Sequence, residues 1–453
     1  MFGRLTAQRR AISTDDEAQV TDDPICNVLS GRFHLSETGE RISCPIRSLV
    51  IDPSLDGRER DLLHELDFPS LPTIVCDPNT HDALAKRVAA ALPGAKLVVI
   101  NAPQADERMA QDLMDQTRHA EALIAVGAGT LNDLVKYVSH RRRQPYAVFA
   151  TAPSMNGYVT ATASISRDGE KLSLPATPPL GAFFDLTVLA DAPDRLIRAG
   201  VGDSLCRTTA EIDWLLSHHL FDTAFLEMPF AIQREDEAEL LNRIDDLATG
   251  DIDAVRALVR LLVLGGLGML IAGSSQPGSQ GEHLISHYID MLHRPHPGSF
   301  HGEQVGLASW TMATLQHCVL SRDAPPPLAE TMYDPAAMSA RFGVHGTSCL
   351  AAITKKAMSG NRLEALNHRL AERWCSLRTA FETKALPLAQ LRNAFDTVGV
   401  PTDPRDLDIV PSFYREAILH ARELRDRFTM LDLAADSGIL GAFVDGHLGG
   451  GLA

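Results

Sequence analysis

Short apolar runs alternate with helical patterns between about residue 46 and about residue 190, and this alternation constrains the fold more than any other feature of the chain. Strands are predicted at 46–51, 73–76, 96–100, 122–126 and 146–150. Helices such as 82–92 and 106–118 lie between them. Strands that alternate with helices form mostly parallel sheets with right-handed crossovers. Residues 46–190 are therefore predicted to form a Rossmann-like nucleotide-binding domain.

The rest of the chain is divided into a lead-in, a closing hairpin and a helical part. Residues 1–45 are predicted to be a loosely ordered lead-in. Two short extended pieces, 162–165 and 182–185, predict a hairpin that closes the first domain. The periodicity of residues 191–453 is overwhelmingly helical. The expected fold class is α/β plus all-α, with the helical domain second.

Composition narrows the class of protein. The formal net charge of -16 argues against a nucleic-acid partner, because phosphate backbones are bound by clustered Lys and Arg. The seven cysteines are scattered without a CxxC pair, which favours reduced thiols in a cytoplasmic protein. The longest apolar stretch, 261–273, is too short and too rich in Gly to span a bilayer, so it is predicted to be a buried helix. Neither a secretory signal nor a membrane span is expected.

Two motifs carry candidate chemistry. His283 and His287 are four residues apart on a predicted helix, so they project from one face and can converge on one metal ion or substrate with His301. Ordinary surface histidines are the alternative. Upstream, an apolar run meets the turn Gly127-Ala128-Gly129-Thr130 and then a helical pattern. Such a turn presents backbone amides and the positive end of a helix dipole to a phosphate, so a nucleotide site is expected there.

Six blocks of sequence, in order, resemble the sn-glycerol-1-phosphate dehydrogenases, relatives of the glycerol dehydrogenases, iron-containing alcohol dehydrogenases and dehydroquinate synthases. The blocks are GAGTLNDLVKYVS (127–139), ATAPSMNGYVTATASI (150–165), AGVGDSLCRTTAEIDW (199–214), GEHLISHYIDM (281–291), FHGEQVG (300–306) and FYREAILHARELRDRFTMLDLAADSGIL (413–440). The last block is more similar to bacterial than to archaeal members. The resemblance implies a metal-dependent, NAD- or NADP-dependent oxidoreductase of phospholipid metabolism that interconverts dihydroxyacetone phosphate and sn-glycerol 1-phosphate. It also implies a homodimer.

The resemblance further implies that Asp203, His283 and His301 hold one divalent metal in the helical domain. One carboxylate and two imidazoles accept Zn, and also Ni or Fe, and leave open positions for a substrate oxygen. An alcohol bound there loses its proton more readily. A helix N-cap is the alternative role of Asp203.

Two further residues are expected at the substrate. His287 matches the second imidazole of the family's HxxxH pair, which binds a hydroxyl or phosphate or relays a proton. A helix-face His that is merely packed beside the site is the alternative. Arg207 stands where relatives commonly show Lys, and a cation there would hold the phosphate bidentately. Surface ion pairing is the alternative for Arg207.

For the cofactor, the turn at 127–130 matches a GGGT loop that holds the pyrophosphate. Ala128 replaces the middle Gly, so either its φ stays negative or the loop is slightly displaced. Asp77 follows a strand where a carboxylate can bind an adenosine ribose, which favours NAD over NADP, although a turn-initiating Asp before Pro is the alternative. The other predicted cofactor contacts are Asp133, Thr151 and Ser154.

Asn156 is a departure from the family pattern, since relatives show Asp in PSMDG. Asn keeps the shape of Asp and loses its charge and its ability to accept a proton. The substrate or the proton path is therefore expected to differ, or activity to be low. Two other functions stay open: a sugar-phosphate cyclase or lyase of the dehydroquinate synthase type, and a catalytically decayed binding subunit. Against the cyclase, the metal carboxylate is Asp and a GGKTG stretch is absent.

Overall fold

The computed structural model describes residues 23–31, 43–167 and 170–449. The chain forms two compact units. Within the described residues, the first unit runs up to Gly200 and also takes Met228–Ser274. The second unit comprises Val201–Glu227 and the chain from Ser275 onward.

A six-stranded, entirely parallel sheet is the centre of the first unit. Its strands are β1 Ser48–Asp52, β2 Thr73–Cys76, β3 Lys96–Val99, β4 Leu123–Gly127, β5 Tyr146–Ala150 and β8 Gly181–Asp185, in the order β1-β8-β5-β4-β2-β3. The separate pair β6 Thr162–Arg167 and β7 Glu170–Pro175 is antiparallel. The central strands β2, β4, β5 and β8 are buried along their whole length, as parallel strands covered on both faces are. The predicted α/β class is confirmed.

The predicted hairpin was wrong in one of its two strands. Residues 162–167 pair with 170–175, whereas 181–185 lies between β1 and β5 in the parallel sheet. The reason is visible in the residues themselves. Gly181–Asp185 is an uninterrupted buried run, GAFFD, which suits a central parallel strand better than a half-exposed hairpin.

The helices of the first unit cover the sheet. They are α1 Pro24–Leu29, α2 Glu59–His64, α3 Pro78–Thr80, α4 Lys86–Ala91, α5 Glu107–Gln116, α6 Gly129–Arg142, α7 Leu186–Ala190 and the first part of α8 Asp194–Leu205, with α10 Met228–Ala231, α11 Arg234–Asn242, α12 Ile244–Leu247 and α13 Ile252–Ala272. A π turn, His81–Ala85, joins α3 to α4. Of the predicted lead-in, 1–22 and 32–42 lie outside the described residues, and α1 is held to α13 by the ion pair Arg260–Asp23.

The long helix α13 explains why Met228–Ser274 groups with the sheet. A Cβ on Gly266 would lie 2.4 Å from the carbonyl oxygen of Asn156, so only a glycine lets α13 pack against the 3₁₀ turn Asn156–Val159. The predicted domains, 46–190 and 191–453, place Met228–Ser274 in the helical domain. This domain division remains a prediction. By length and composition α13 could cross a membrane, but 72% of its apolar window is buried inside the protein, as in a core helix.

The second unit is helical throughout its described residues. It contains the end of α8, then α9 Arg207–Phe221, α14 Gly281–Leu292, α15 His301–Leu320, α16 Pro335–Phe342, α17 Gly346–Lys356, α18 Gly360–Lys384, α19 Leu388–Val398, α20 Pro411–His420, α21 Met430–Asp436 and α22 Ile439–Leu448. One apolar cluster, which includes Leu216, Ile285, Leu315, Trp374 and Phe443, joins all of these helices except α8 and α19. The core holds the histidine-bearing helices α14 and α15 rigidly against each other.

Candidate active site

Three glycines bring the end of α8 against the start of α15. A Cβ on Gly202 would lie 2.2 Å from the carbonyl oxygen of Gly302 and 3.0 Å from Cα of Gly306. No side chain fits at that distance, so backbone meets backbone. Asp203, the next residue of α8, is thereby held beside His301, the first residue of α15.

Asp203, His283 and His301 converge as the sequence predicted. Nε2 of His283 and Nε2 of His301 each lie 3.9 Å from Oδ1 of Asp203. Two atoms bound to one ion at about 2.0–2.2 Å each lie at most about 4.4 Å apart, so both distances are compatible with a shared ion. Asp203 and His283 are buried and His301 is half-buried. The donor set and its spacing fit a divalent metal.

Glu282 supports this cluster, and the sequence analysis missed it. Its Oε1 lies 3.0 Å from Nδ1 of His283 and also accepts a hydrogen bond from the backbone of Gln280 at 2.6 Å. Burial pushes the pKa of Glu282 up, but the hydrogen bond to His283 and the backbone amides outweigh it, so the net pKa lies below its ordinary value. A carboxylate on Nδ1 fixes the imidazole with Nε2 toward Asp203. The signal was available: an acid directly before the first His of GEHLISH.

Gln304 fixes the spacing of the two histidine helices. Its Oε1 accepts from Ser286 of α14 at 2.8 Å, and its Nε2 donates to Asp290 of α14 and to Ser299, each at 3.0 Å. The side chain is fully buried. Because it links α14 to the first turn of α15, Gln304 sets the position of His301 relative to His283.

A second group of possible ligands overlaps the first: Cys206, Glu282 and His283. Burial raises the pKa of the Cys206 thiol well above its ordinary value. Sγ of Cys206 lies 3.0 Å from the backbone oxygen of Asp203. Glu282 is already occupied by His283, which favours the Asp203 set.

His287 lies one helical turn from His283, half-buried, with the two ring centroids 6.2 Å apart and the planes nearly perpendicular. The two imidazoles therefore share a face of α14, as predicted from their spacing.

Arg207 is brought into a different environment from the one predicted. It is 5% exposed, and its Nη1 lies 2.8 Å from Oε2 of Glu211 in a buried ion pair. Nζ of Lys384 lies 3.1 Å from the other oxygen of Glu211. The guanidinium charge is thus already paired with a carboxylate. Neither the phosphate contact nor the surface pair weighed from the sequence describes this arrangement.

The nucleotide turn has the predicted strand, turn and helix. β4 ends at Gly127 and α6 begins at Gly129, with Ala128 as N-cap at φ -84°. The negative φ explains why Ala is tolerated at position 128. A Cβ on Gly129 would lie 2.7 Å from Sδ of Met155, so a side chain there would displace the end of Met155. Thr130 is exposed in the first turn of α6.

Two more predicted cofactor residues follow the neighbouring strand. β4 and β5 pair with Gly127 opposite Ala150, and the backbone amide of Thr151 donates to the oxygen of Gly127 at 3.3 Å. Thr151 and Ser154 are therefore on the same carboxyl edge of the sheet as the turn. Both are buried.

Asp77 and Asp133 have structural hydrogen bonds. Asp77 caps α3, its Oδ1 accepting from the backbone of Thr80 at 2.8 Å, as the turn-initiating alternative proposed. Asp133 is buried, with Oδ1 3.3 Å from Nζ of Lys136 and Oδ2 accepting from the backbone of Ser164 at 3.0 Å. Both of its oxygens are used within the first unit, which argues against a cofactor contact.

Lys136 fixes the segment around Asn156. It is fully buried, and its Nζ donates to the backbone oxygens of Gly157 and Thr162. Burial lowers the pKa of Lys136, and Asp133 opposes that shift. Asn156 is half-buried at the start of the turn that Lys136 holds.

Comparison with known proteins agrees with this architecture. Residues 50–193 match the family described as iron-containing alcohol dehydrogenase. The glycerol dehydrogenase of Schizosaccharomyces pombe has the same fold, with a TM-score of 0.59 and 15% identity over 92% of this chain and 94% of that one. A probable glycerol dehydrogenase from Sinorhizobium meliloti superposes with a TM-score of 0.55 and 18% identity, covering 86% of this chain and 95% of its own.

Curated relatives are more specific. The glycerol-1-phosphate dehydrogenase (NAD(P)+) of Halalkalibacterium halodurans is 29% identical over 82% of this chain and 86% of its own length. The enzyme of the same name from Pyrococcus furiosus is 32% identical over 59% of this chain and 78% of its own. The chain belongs to the family of the NAD(P)-dependent glycerol-1-phosphate dehydrogenases.

Proposed function

We propose that this protein reduces dihydroxyacetone phosphate to sn-glycerol 1-phosphate with NADH or NADPH, and catalyses the reverse oxidation. The observation that carries the proposal is the convergence of Asp203, His283 and His301, with Glu282 behind His283, in a chain of this family. When bound, NADH or NADPH would supply a hydride to C2 of the ketone, and a proton would be added to the carbonyl oxygen. The cofactor is oxidised and the ketone is reduced to a secondary alcohol.

Asp203, His283 and His301 are the proposed ligands of one divalent ion, with Zn first and Ni or Fe as alternatives. When bound, such an ion polarises a carbonyl or lowers the pKa of an alcohol. The buried Glu282 carboxylate keeps His283 in the tautomer that presents Nε2. Gln304 keeps His301 at a fixed distance from His283.

His287 is the proposed proton carrier. It is half-buried on the same face of α14 as His283, so it is close to the cluster and still reachable by water. Imidazole exchanges protons near neutral pH, which suits delivery of the proton in reduction and its removal in oxidation. Asn156 cannot accept a proton and is proposed to act only as a hydrogen-bonding group.

The turn Gly127–Thr130 is the proposed pyrophosphate site. The amides at the start of α6 and the helix dipole favour an anion there, and Gly129 keeps the backbone accessible. Asp77 would contact an adenosine ribose only through Oδ2, since Oδ1 caps α3. A carboxylate at that position favours NAD over NADP.

The protein is also proposed to work in the cytoplasm as a homodimer. The described cysteines are all free, which suits a reducing compartment. The dimer rests on the resemblance to the family alone.

Of the other functions weighed from the sequence, the binding subunit rested on Ala128 and Asn156. The negative φ at Ala128 removes the first reason, so Asn156 alone still motivates it.

The test is oxidation of NADH and NADPH by purified, metal-replenished protein with dihydroxyacetone phosphate, beside a chelated sample. We expect turnover that the chelator abolishes and that added Zn, Ni or Fe restores. The product is identified as the sn-1 or sn-3 phosphate with a stereospecific coupling enzyme. Absence of turnover with both cofactors despite stoichiometric metal would overturn the substrate assignment.

A further inference from the structure

The segment between α20 and α21 carries two guanidinium groups, Arg425 and Arg427, that form no ion pair with a carboxylate of the described residues. Arg427 is half-buried, and it donates hydrogen bonds to Oγ of Ser275 at 2.8 Å and to the backbone oxygen of Ser279. Both acceptors are neutral. A guanidinium has five N–H donors in a planar fork, so two neutral contacts leave capacity for an anion.

The acid between the two arginines is directed elsewhere. Asp426 is exposed and pairs with Lys355 at the surface. Arg425 is half-buried like Arg427, and its positive charge acts on the Arg427 guanidinium.

Burial, together with the positive charge of Arg425, lowers the pKa of Arg427 to about 10, against the opposing charges of Glu282 and Asp426. The side chain stays charged at neutral pH. Two like charges that meet in partly buried surroundings repel each other, and an anion between them would relieve the repulsion.

Arg427 lies beside the start of the helix that carries His283. Ser279, its backbone partner, is four residues before His283, and Glu282, which supports His283, acts on Arg427 electrostatically. Asp213 joins the two segments, since its carboxylate accepts from the backbone of Gly281 and of Met430, each at 3.1 Å. The start of α21 is thus fixed to the start of α14.

The backbone of Arg427 is fixed as well. The buried Nζ of Lys356 donates to the carbonyl oxygen of Arg427 at 2.7 Å and pairs with Asp432 at 2.8 Å. Arg422 pairs with Asp436 at 2.7 Å one turn further along α21. The guanidinium of Arg427 is therefore presented by an anchored segment, which lowers the entropic cost of binding a ligand.

The two candidate phosphate-binding cations of the second unit differ in one respect. Arg207 already has a buried carboxylate, Glu211, at 2.8 Å. A phosphate at Arg207 would have to approach that paired carboxylate closely, whereas the two hydrogen-bond acceptors of Arg427 are neutral and Glu282 and Asp426 act on it only through their charge.

We infer that Arg427, with Arg425 at longer range, binds the phosphate of the substrate, and that Arg207 does not. The inference rests on the proposed function for the identity of the substrate. Phosphate oxygens accept two parallel hydrogen bonds from one guanidinium, so Arg427 would fix the orientation of the triose phosphate as well as its affinity.

The experiment compares wild type, Arg427→Gln, Arg427→Lys and Arg425→Gln, with Arg415→Gln as control. Arg415 is an exposed arginine of α20 paired with Asp445, so its loss makes the same change in charge away from the site. Binding of sn-glycerol 1-phosphate and of inorganic phosphate is measured by calorimetry. Turnover of dihydroxyacetone phosphate is compared with turnover of dihydroxyacetone, which lacks the phosphate.

For Arg427→Gln we expect affinity for sn-glycerol 1-phosphate to fall about 10- to 100-fold, as for loss of a hydrogen bond to a charged group. KM for dihydroxyacetone phosphate should rise by a similar factor while kcat/KM for dihydroxyacetone is unchanged. The affinity of Arg427→Lys for sn-glycerol 1-phosphate should lie between those of wild type and Arg427→Gln. Arg425→Gln should lower this affinity a few-fold. Because Arg425 makes no hydrogen bond to the described residues, this variant is expected to fold and keeps the test valid if Arg427→Gln does not. Arg415→Gln should match wild type.

The outcomes separate the two proposals. Phosphate binding that depends on Arg427, without turnover of dihydroxyacetone phosphate by wild type, would keep this site and remove the proposed reaction. Turnover by wild type with unchanged affinity in folded Arg427→Gln and Arg425→Gln would remove this site and keep the reaction. Equal losses with dihydroxyacetone and its phosphate would also overturn the inference, because they indicate a structural role.

Discussion

The candidate metal cluster of the second unit and the nucleotide turn of the first are built from different parts of the chain. The cluster uses side chains from three separate helices, α8, α14 and α15, and two buried residues, Glu282 and Gln304, hold them in place. The turn uses backbone amides of consecutive residues at the start of α6. Single substitutions are therefore expected to abolish binding at a site built from side chains more readily than at a site built from backbone amides.

The largest expected effect is at the proposed metal ligands. His283→Ala removes a proposed ligand and Asp203→Asn replaces a charged one by a neutral amide, and loss of the several kcal/mol that a Lewis acid contributes corresponds to roughly a thousandfold or greater fall in kcat. Steady-state kinetics and metal analysis of the purified variants check this. A variant that keeps both its metal and wild-type kcat would exclude that residue as a ligand.

Glu282→Gln should have a smaller effect on the same site. The amide keeps the shape of the carboxylate but loses its charge, so His283 becomes a weaker ligand, and affinity for the metal is expected to fall about 10- to 100-fold. Competition with a chelator of known affinity measures this. The exposed pair partner Glu239, changed to Gln, is the matched control. Unchanged metal affinity in Glu282→Gln would reduce Glu282 to a packing role.

Asn156→Asp is expected to lower kcat with dihydroxyacetone phosphate by up to about tenfold, equivalent to about 1.4 kcal/mol. A carboxylate at this half-buried position would be partly desolvated and would change the hydrogen-bonding character of the turn held by Lys136. The pH profile of kcat is measured for both proteins. A sharp rise in turnover would show instead that this chain is a partly decayed enzyme.

The smallest effect is expected at the nucleotide turn. Ala128 has φ -84°, a conformation that does not require glycine. Ala128→Gly should therefore lower the free energy of unfolding by only about 0.5–1 kcal/mol, through the greater flexibility of glycine in the unfolded chain. KM for NADH should stay within about twofold of wild type, measured together with the thermal midpoint. Tighter NADH binding by several-fold would mean that the Ala128 side chain obstructs the pyrophosphate.

The parts of the fold that the sequence predicted are those with local signals. β2 and β5 have the predicted limits, because apolar runs bounded by turns specify buried strands directly. The strand Gly181–Asp185 was identified but paired wrongly, because a short apolar run does not indicate which strands it pairs with.

The site divides in the same way. Asp203, His283 and His301, the proposed metal ligands, and His287 were predicted from motifs, and the structure brings the first three together. The pairing of Arg207 with Glu211 was harder to predict. A spacing of four residues on a helix permits this ion pair, but only the burial of both side chains shows that the carboxylate neutralises the guanidinium. Arg427 lies in the block 413–440 that resembles the family, yet its hydrogen-bond partners Ser275 and Ser279 lie about 150 positions away in sequence.

The contact between α8 and α15 has a consequence for protein engineering. Grafting the three ligands onto another pair of helices would not reproduce this cluster, because ordinary helices are kept apart by their side chains. Gly202 and Gly306 would have to be transferred with Asp203 and His301, since they set how near the two backbones come. The minimal transferable motif therefore contains residues that never touch the ion.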